Sequence, residues 1–150
     1  MNLTNSFNIS SSALTAQRLR MDIISSNIAN AETTRGKLVD GEWVPYQRKT
    51  VVMESKDSPS FDQIFQSKLD SHSTGNGVKV TQISEDQSPF KRVYQPTHPD
   101  ANEDGYVFMP NVDILKEMVD MISATRSYEA NVTALNASKS MFMKALEIGR

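Results

Sequence analysis

Apolar side chains recur alternately three and four residues apart over both ends of the chain. At positions 3, 7, 10, 14, 17, 21, 24, 28 and 31 stand Leu, Phe, Ser, Leu, Gln, Met, Ile, Ile and Ala. At 114, 118, 121, 125, 128, 132, 135, 139, 142 and 146 stand Ile, Met, Met, Thr, Tyr, Val, Leu, Lys, Phe and Leu. A mean period of 3.5 residues keeps one stripe of a helix facing a partner instead of drifting round the axis, so the pattern predicts two long helices with a coiled-coil seam. Glycine and proline agree: every proline (45, 59, 89, 96, 99, 110) and the glycines 36, 41, 75, 77 and 105 lie between 36 and 110, and the remaining glycine is Gly149. Helix breakers are thus confined to the middle.

The resulting division is an N-terminal helix in 1–35, a β-rich, loop-rich middle region over 36–110, and a C-terminal helix in 111–150, an α+β fold. Asn111 or Asp113 caps the second helix behind Pro110, and Gly149 with Arg150 suits its end. From Asn27 to Thr34 amide and hydroxyl side chains compete for the backbone, so the first helix is expected to stop near Ala31. In the middle, Glu42 to Glu54 reads as a strand with Pro45 at its edge, Gly77 to Ile83 alternates as a half-buried strand, and Arg92 to Tyr94 is a third candidate. Asn76-Gly77 marks a turn. The serine-rich stretch 55–75 reads as a mobile insertion with a short helix at Phe61 to Leu69.

Length turns the helical stripes into an argument about assembly. At about 1.5 Å per residue the two helices run about 42 and 54 Å, against about 38 Å across a compact globule of this size. A projecting helix with an apolar stripe needs a second surface, which makes self-association the economical reading. An ordinary antiparallel pair in a compact bundle remains the other reading of periodicity alone.

Charge and composition narrow the chemistry. The 150 residues carry 16 basic and 18 acidic side chains, a formal charge of -2, which leaves no basic excess for nucleic acid or an anionic membrane. Cysteine is absent, removing disulfides and thiolate sites. No apolar run of secretory type precedes Arg18 and no membrane span is visible, so the chain is expected either to stay in the cytoplasm or to leave by a route that reads no hydrophobic signal.

Catalytic and metal motifs are weak. Asp100-Ala101-Asn102-Glu103-Asp104-Gly105 matches the first half of a calcium loop, but the position of the closing glutamate holds Asn111. His72 and His98 sit in separate loops, no Gly-x-Ser-x-Gly elbow is present, and Gly75-Asn76-Gly77 lacks the later glycine and lysine of a phosphate loop. Arg126, Tyr128 and Glu129 read either as a surface cluster or as an inter-subunit contact. Met21, Met118, Met121, Met141 and Met143 read as adaptable packing at helix seams.

With both ends in view, Ser12-Ala13-Leu14-Thr15-Ala16-Gln17-Arg18-Leu19-Arg20-Met21-Asp22 through Ser26-Asn27-Ile28-Ala29-Asn30-Ala31-Glu32-Thr33-Thr34 resembles the N-terminal signature of bacterial flagellar rod and hook proteins. Pro110-Asn111-Val112-Asp113, Glu117 to Ile122, Arg126 to Asn131 and Lys139-Ser140-Met141 resemble the closing helix of that family. Pro45 to Lys49, Ser88 to Tyr94 and His98 to Val107 look like its proximal rod members. The resemblance implies a structural subunit and no enzyme. It implies export, unfolded, through the flagellar type III apparatus, helped by a disordered polar N-terminus. It further implies a rod outside the cytoplasmic membrane, built with sister copies and other rod proteins and needing no cofactor, metal, nucleic acid or small-molecule substrate. The expected subunit contacts are Leu3, Phe7, Leu14, Met21, Ile24, Asn27, Ile28 and Asn30 at one end and Ile114, Met118, Met121, Tyr128, Val132, Leu135, Phe142 and Leu146 at the other. A soluble coiled-coil adaptor or export chaperone clasping a partner helix is the competing function.

Overall fold

Among the described residues the order of elements is helix, six short strands, helix. A computed structural model describes residues 3–56 and 77–148. The elements are α1 (Leu3–Ala29), β1 (Lys37–Val39), β2 (Glu42–Val44), β3 (Lys49–Ser55), β4 (Val78–Glu85), β5 (Lys91–Tyr94), β6 (Tyr106–Met109) and α2 (Ile114–Ile148). This is α+β, with strands paired as β1-β2, β3-β4 and β5-β6. The polar N-terminal residues from Leu3 onward are helical. The insertion at 55–75 apart from its first two residues, its short helix, His72, Asn76 and the Gly149-Arg150 cap lie outside the described residues.

Local chemistry explains each boundary. Asp113 is the cap of α2: its Oδ1 accepts from the Leu115 amide at 3.0 Å and the Lys116 amide at 3.4 Å, meeting donors the first helical turn leaves free. Asn30 closes α1 by donating from Nδ2 to the Ser26 carbonyl at 2.9 Å. The strand expected over Glu42 to Glu54 is two strands. Pro45 interrupts the ladder, the Tyr46 amide turns to the Thr33 carbonyl (3.1 Å), and the Arg48 amide turns to Asn111 Oδ1 (2.8 Å).

Two strands went unforeseen, β1 and β6. The first pairs with β2 across Asp40-Gly41, with φ of 51° and 89°, the left-handed pair that a two-residue type I′ hairpin requires. Gly36, just before β1, bonds from its amide to the Val44 carbonyl at 2.9 Å, and a Cβ there would stand 2.6 Å from the Tyr46 nitrogen. β6 pairs antiparallel with β5 in the register Lys91↔Met109, Arg92↔Phe108, Val93↔Val107 and Tyr94↔Tyr106. The Tyr94 and Tyr106 rings meet edge to face at 5.3 Å.

Contacts divide the chain into two compact units, one of Met1–Arg18, Val52–Gln82 and Thr125–Arg150, the other of Leu19–Val51 and Ile83–Ala124. In the first, Gly77 (φ 103°) lies against α1, where the Val78 amide donates to Ser12 Oγ at 3.1 Å. In the second, the buried apolar residues are Ile23, Ile24, Val107, Val112 and Ala124.

The covered side of α2 follows the 3,4 period; it coincides with the apolar stripe at Met121, Tyr128 and Leu135 and stands one residue before it at the positions in between. It runs through Glu117, Met121, Ala124, Tyr128, Asn131, Leu135 and Ser138, all buried or half-buried. Met118, Phe142 and Leu146 of the expected seam are exposed. Where the covered side departs from the stripe it holds Glu117, Ala124, Asn131 and Ser138.

Asp113→Ala is expected to cost about 1 kcal/mol, lowering the midpoint of thermal unfolding by about 2–4 °C in a chain of this length. Circular dichroism melting measures it.

Candidate functional site

The second unit is organised round a polar interior. Asn27, on the last turn of α1, is 1% exposed and uses all four of its hydrogen-bonding positions. Its Nδ2 donates to the Lys49 carbonyl at 2.8 Å and to Glu117 Oε2 at 2.9 Å. Its Oδ1 accepts from the Lys49 amide at 3.0 Å and the Tyr46 hydroxyl at 2.9 Å. One side-chain amide therefore takes both the N–H and the C=O of the first residue of β3, as a neighbouring strand would.

Glu117, in the first turns of α2, is 0% exposed. A buried carboxylate is tolerated only with compensating donors. Besides Asn27, it accepts from Arg48 Nε at 2.7 Å. The same guanidinium lies 3.6 Å from Asp86 Oδ2 and 3.6 Å from Asp120 Oδ2, and Arg20 of α1 reaches Asp120 Oδ1 at 3.4 Å. Two arginines thus face three carboxylates. Asn111 locks the surrounding backbone: its Nδ2 donates to the Asp86 carbonyl (3.0 Å) and the Ser88 carbonyl (3.1 Å). The Asp86 carboxyl is held below its ordinary range chiefly by the Ser88 hydroxyl and amide, at 2.6 and 2.9 Å, with Arg48 adding to the effect and desolvation opposing it.

A second clip joins the segment after α1 to the loop between β5 and β6. Asp100 accepts from Arg35 Nε and from Thr34 Oγ1, both at 2.8 Å, and these bonds, Arg35 first, lower its pKa. The carboxylate that would open a calcium loop is engaged in this clip, and among the described residues no three His, Asp or Glu side chains converge as metal ligands.

The expected contact residues are distributed unevenly. Ile24 and Asn27 are buried, and Phe7, Leu14, Met21, Ile28 and Asn30 are half-buried on α1; Leu3 is placed in α1 by its backbone alone. On α2, Met121, Tyr128, Val132 and Leu135 are half-buried, while Ile114, Met118, Phe142 and Leu146 are exposed. Leu115, Val119 and Ile122, which are not among the expected contacts, join Met118 in an exposed row on α2. Their spacing at i, i+3, i+4 and i+7 is itself a helical face, so the start of α2 is apolar on the side away from Glu117. Leu38 and Trp43, cross-strand partners on the first hairpin, and Tyr94, Tyr106 and Phe108 on the third are exposed as well. Arg48 was passed over because nothing in its neighbourhood in sequence marks it as a partner of Glu117.

A polar knot thus ties the end of α1 to the start of α2, and apolar rows are left outside it. Residues 7–36 match the family of flagella basal body rod proteins, and residues 103–148 match the C-terminal region of flagellar basal body rod FlgEFG proteins. The chain is 62% identical, over the full length of both, to the flagellar basal-body rod protein FlgC of Bacillus subtilis. It is 46% identical to that of Borreliella burgdorferi over 99% of this chain and 98% of the relative, and 45% identical to that of Escherichia coli O157:H7 over the full length of both. The chain belongs to the FlgC family of flagellar basal-body rod proteins. It is a structural subunit of the basal body, and the names of its relatives describe a part of the flagellum, with no reaction. Among the described residues no helix is long and apolar enough to cross a membrane.

Arg48→Met leaves the Glu117 carboxylate buried against Asn27 alone and is expected to destabilise by about 3–5 kcal/mol; adding Glu117→Leu removes the orphaned charge and is expected to recover most of that loss. Asn27→Asp sets a carboxylate against Glu117 and the Lys49 carbonyl and is expected to cost at least as much. Urea unfolding of the three variants measures both. For Asp86 the folded pKa lies below the unfolded one, so its contribution is full at neutral pH and is lost as pH falls through the depressed value. Ser88→Ala is expected to raise the Asp86 pKa, read by NMR titration, and to move the onset of acid unfolding to higher pH.

Proposed function

We infer that this subunit joins the proximal part of the rod by burying its exposed helical rows against sister copies and other rod proteins, with its terminal helices entering coiled-coil packing there. The observation that carries the reading is the apolar row of α2, where Leu115 is 76% exposed and Val119 is 67% exposed. A soluble monomer rarely leaves such a contiguous row uncovered unless a partner takes it. Contacts between two different patches that do not close into a ring generate a helical structure, which suits an axial rod. Export through the flagellar type III apparatus fits a chain without cysteine, whose folding waits for no disulfide.

Burial on assembly supplies stabilisation at about 25 cal/mol per Å² of apolar surface, released only when the neighbours are in place. The subunit is thereby held firmly once several neighbours close round it.

Val119→Asp and Ile122→Asp change side chains that face solvent, so the purified chain is expected to melt as the wild type does while incorporation into basal bodies is lost. Immunoblots of isolated basal bodies and swimming in a motile strain lacking its own copy measure this; normal incorporation of either variant would remove the assignment of the α2 row.

A further inference from the structure

With cysteine absent, methionine carries all of the sulfur in this chain. Among the described residues the thioethers fall into two sets. Met118, Met141 and Met143 are 52%, 57% and 53% exposed, all on α2, whereas Met21, Met53, Met109 and Met121 are half-buried. The exposed set coincides with exposed apolar surface. Met118 stands three residues after Leu115 and four before Ile122, on one helical face. Met141 and Met143 flank Phe142 in a stretch, 139–147, where every residue is exposed.

We propose that the exposed methionines of α2, Met118 in the second unit and Met141 and Met143 in the first, are reversible oxidation sites, each taking an oxidant of the peroxide class, that withdraw the surface round them from subunit contact. The second half of the statement rests on the assembly reading above. In the step, the thioether sulfur attacks one peroxide oxygen, the O–O bond breaks and an S=O bond forms. Sulfur loses two electrons, and the peroxide is reduced to water or to the corresponding alcohol. The product replaces a polarisable apolar group with a strong acceptor. Leu115, Val119 and Ile122 round Met118 offer it no side-chain donor, so a sulfoxide buried in that row goes unpaired by its own chain and is penalised, whereas Met143 lies beside Asn136, Lys139, Ser140 and Lys144. A methionine sulfoxide reductase with a thiol reductant restores the thioether and returns the oxygen to water.

The full-length chain exposed briefly to hydrogen peroxide and mapped by peptide mass spectrometry is expected to gain oxygen at Met118, Met141 and Met143 at least about fivefold faster than at the half-buried four. Equal rates in the two sets would overturn the proposal. In a motile strain lacking its own copy, the triple variant Met118→Gln, Met141→Gln, Met143→Gln mimics the oxidised surface and is expected to lose at least about tenfold in basal-body incorporation. The triple change to Leu keeps an apolar surface that peroxide does not modify, and is expected to assemble before and after peroxide treatment. Circular dichroism melts matching the wild type show that both triple variants fold. Normal incorporation of the Gln variant, or failure of the Leu variant, would overturn the proposal. The assembly reading fails separately: if Val119→Asp and Ile122→Asp also incorporate normally, the row is no interface, whereas their failure beside a competent Gln variant sinks the oxidation site alone.

Discussion

The carboxylate of Glu117 sets the terms for the unit formed by Leu19–Val51 and Ile83–Ala124. Fully buried and charged, it has to be met by donors, and it is met from two directions: Asn27 from α1 and Arg48 from the segment leading into β3. Each of these is committed elsewhere too. Asn27 spans the backbone of Lys49, and Arg48 lies between Asp86 and Asp120. Removing any one member leaves a buried group unsatisfied, which costs far more than the net gain from making the bond. The unit is therefore cooperative through its polar interior more than through its apolar one, where Ile23, Ile24, Val107, Val112 and Ala124 form a small core.

A subunit of a rod has reason to be built this way. Apolar residues spent on the interior are unavailable for neighbours, and α2 keeps Leu115, Met118, Val119 and Ile122 on its outside. The polar interior allows one helix to serve two surfaces within three turns. The opposite side of the same turns holds Glu117, Met121 and Ala124 against the subunit's own chain.

Much of this was legible in the sequence, and the limits have physical causes. The two long helices followed from the 3,4 periodicity and from breakers confined to 36–110. The strands at 78–85 and 91–94 followed from β-branched alternation. The family was legible in the signature near Asn27 and in the closing helix. The side of α2 covered within its own chain was legible at Met121, Tyr128 and Leu135 but not at Glu117, because periodicity marks apolar positions while Glu117 is buried by its polar partners Asn27 and Arg48. β1 escaped notice because it is three exposed residues whose only local signal is Asp40-Gly41. The network itself could not be read: its bonds join positions up to 100 residues apart, as Arg20 and Asp120 are, and no local pattern records them.

The same network also determines register. Along an antiparallel helix pair made of small and apolar residues, a slip of one turn changes little. Here Asn27 meets Glu117 while Arg20 meets Asp120, two contacts that run in opposite senses along the two helices and that are satisfied together in one alignment. Shifted by a turn, Glu117 would keep its burial and lose its α1 donor, and Lys49 would lose the amide that completes the start of β3. A polar pair at a helix interface trades stability for a single alignment. In the proposed assembly, where the outer rows meet those of neighbours repeatedly along an axis, that trade is favourable. An error of one turn, about 5.4 Å, would displace the row at Leu115 to Ile122 relative to the hairpins of the same unit, and every later subunit would inherit the mismatch.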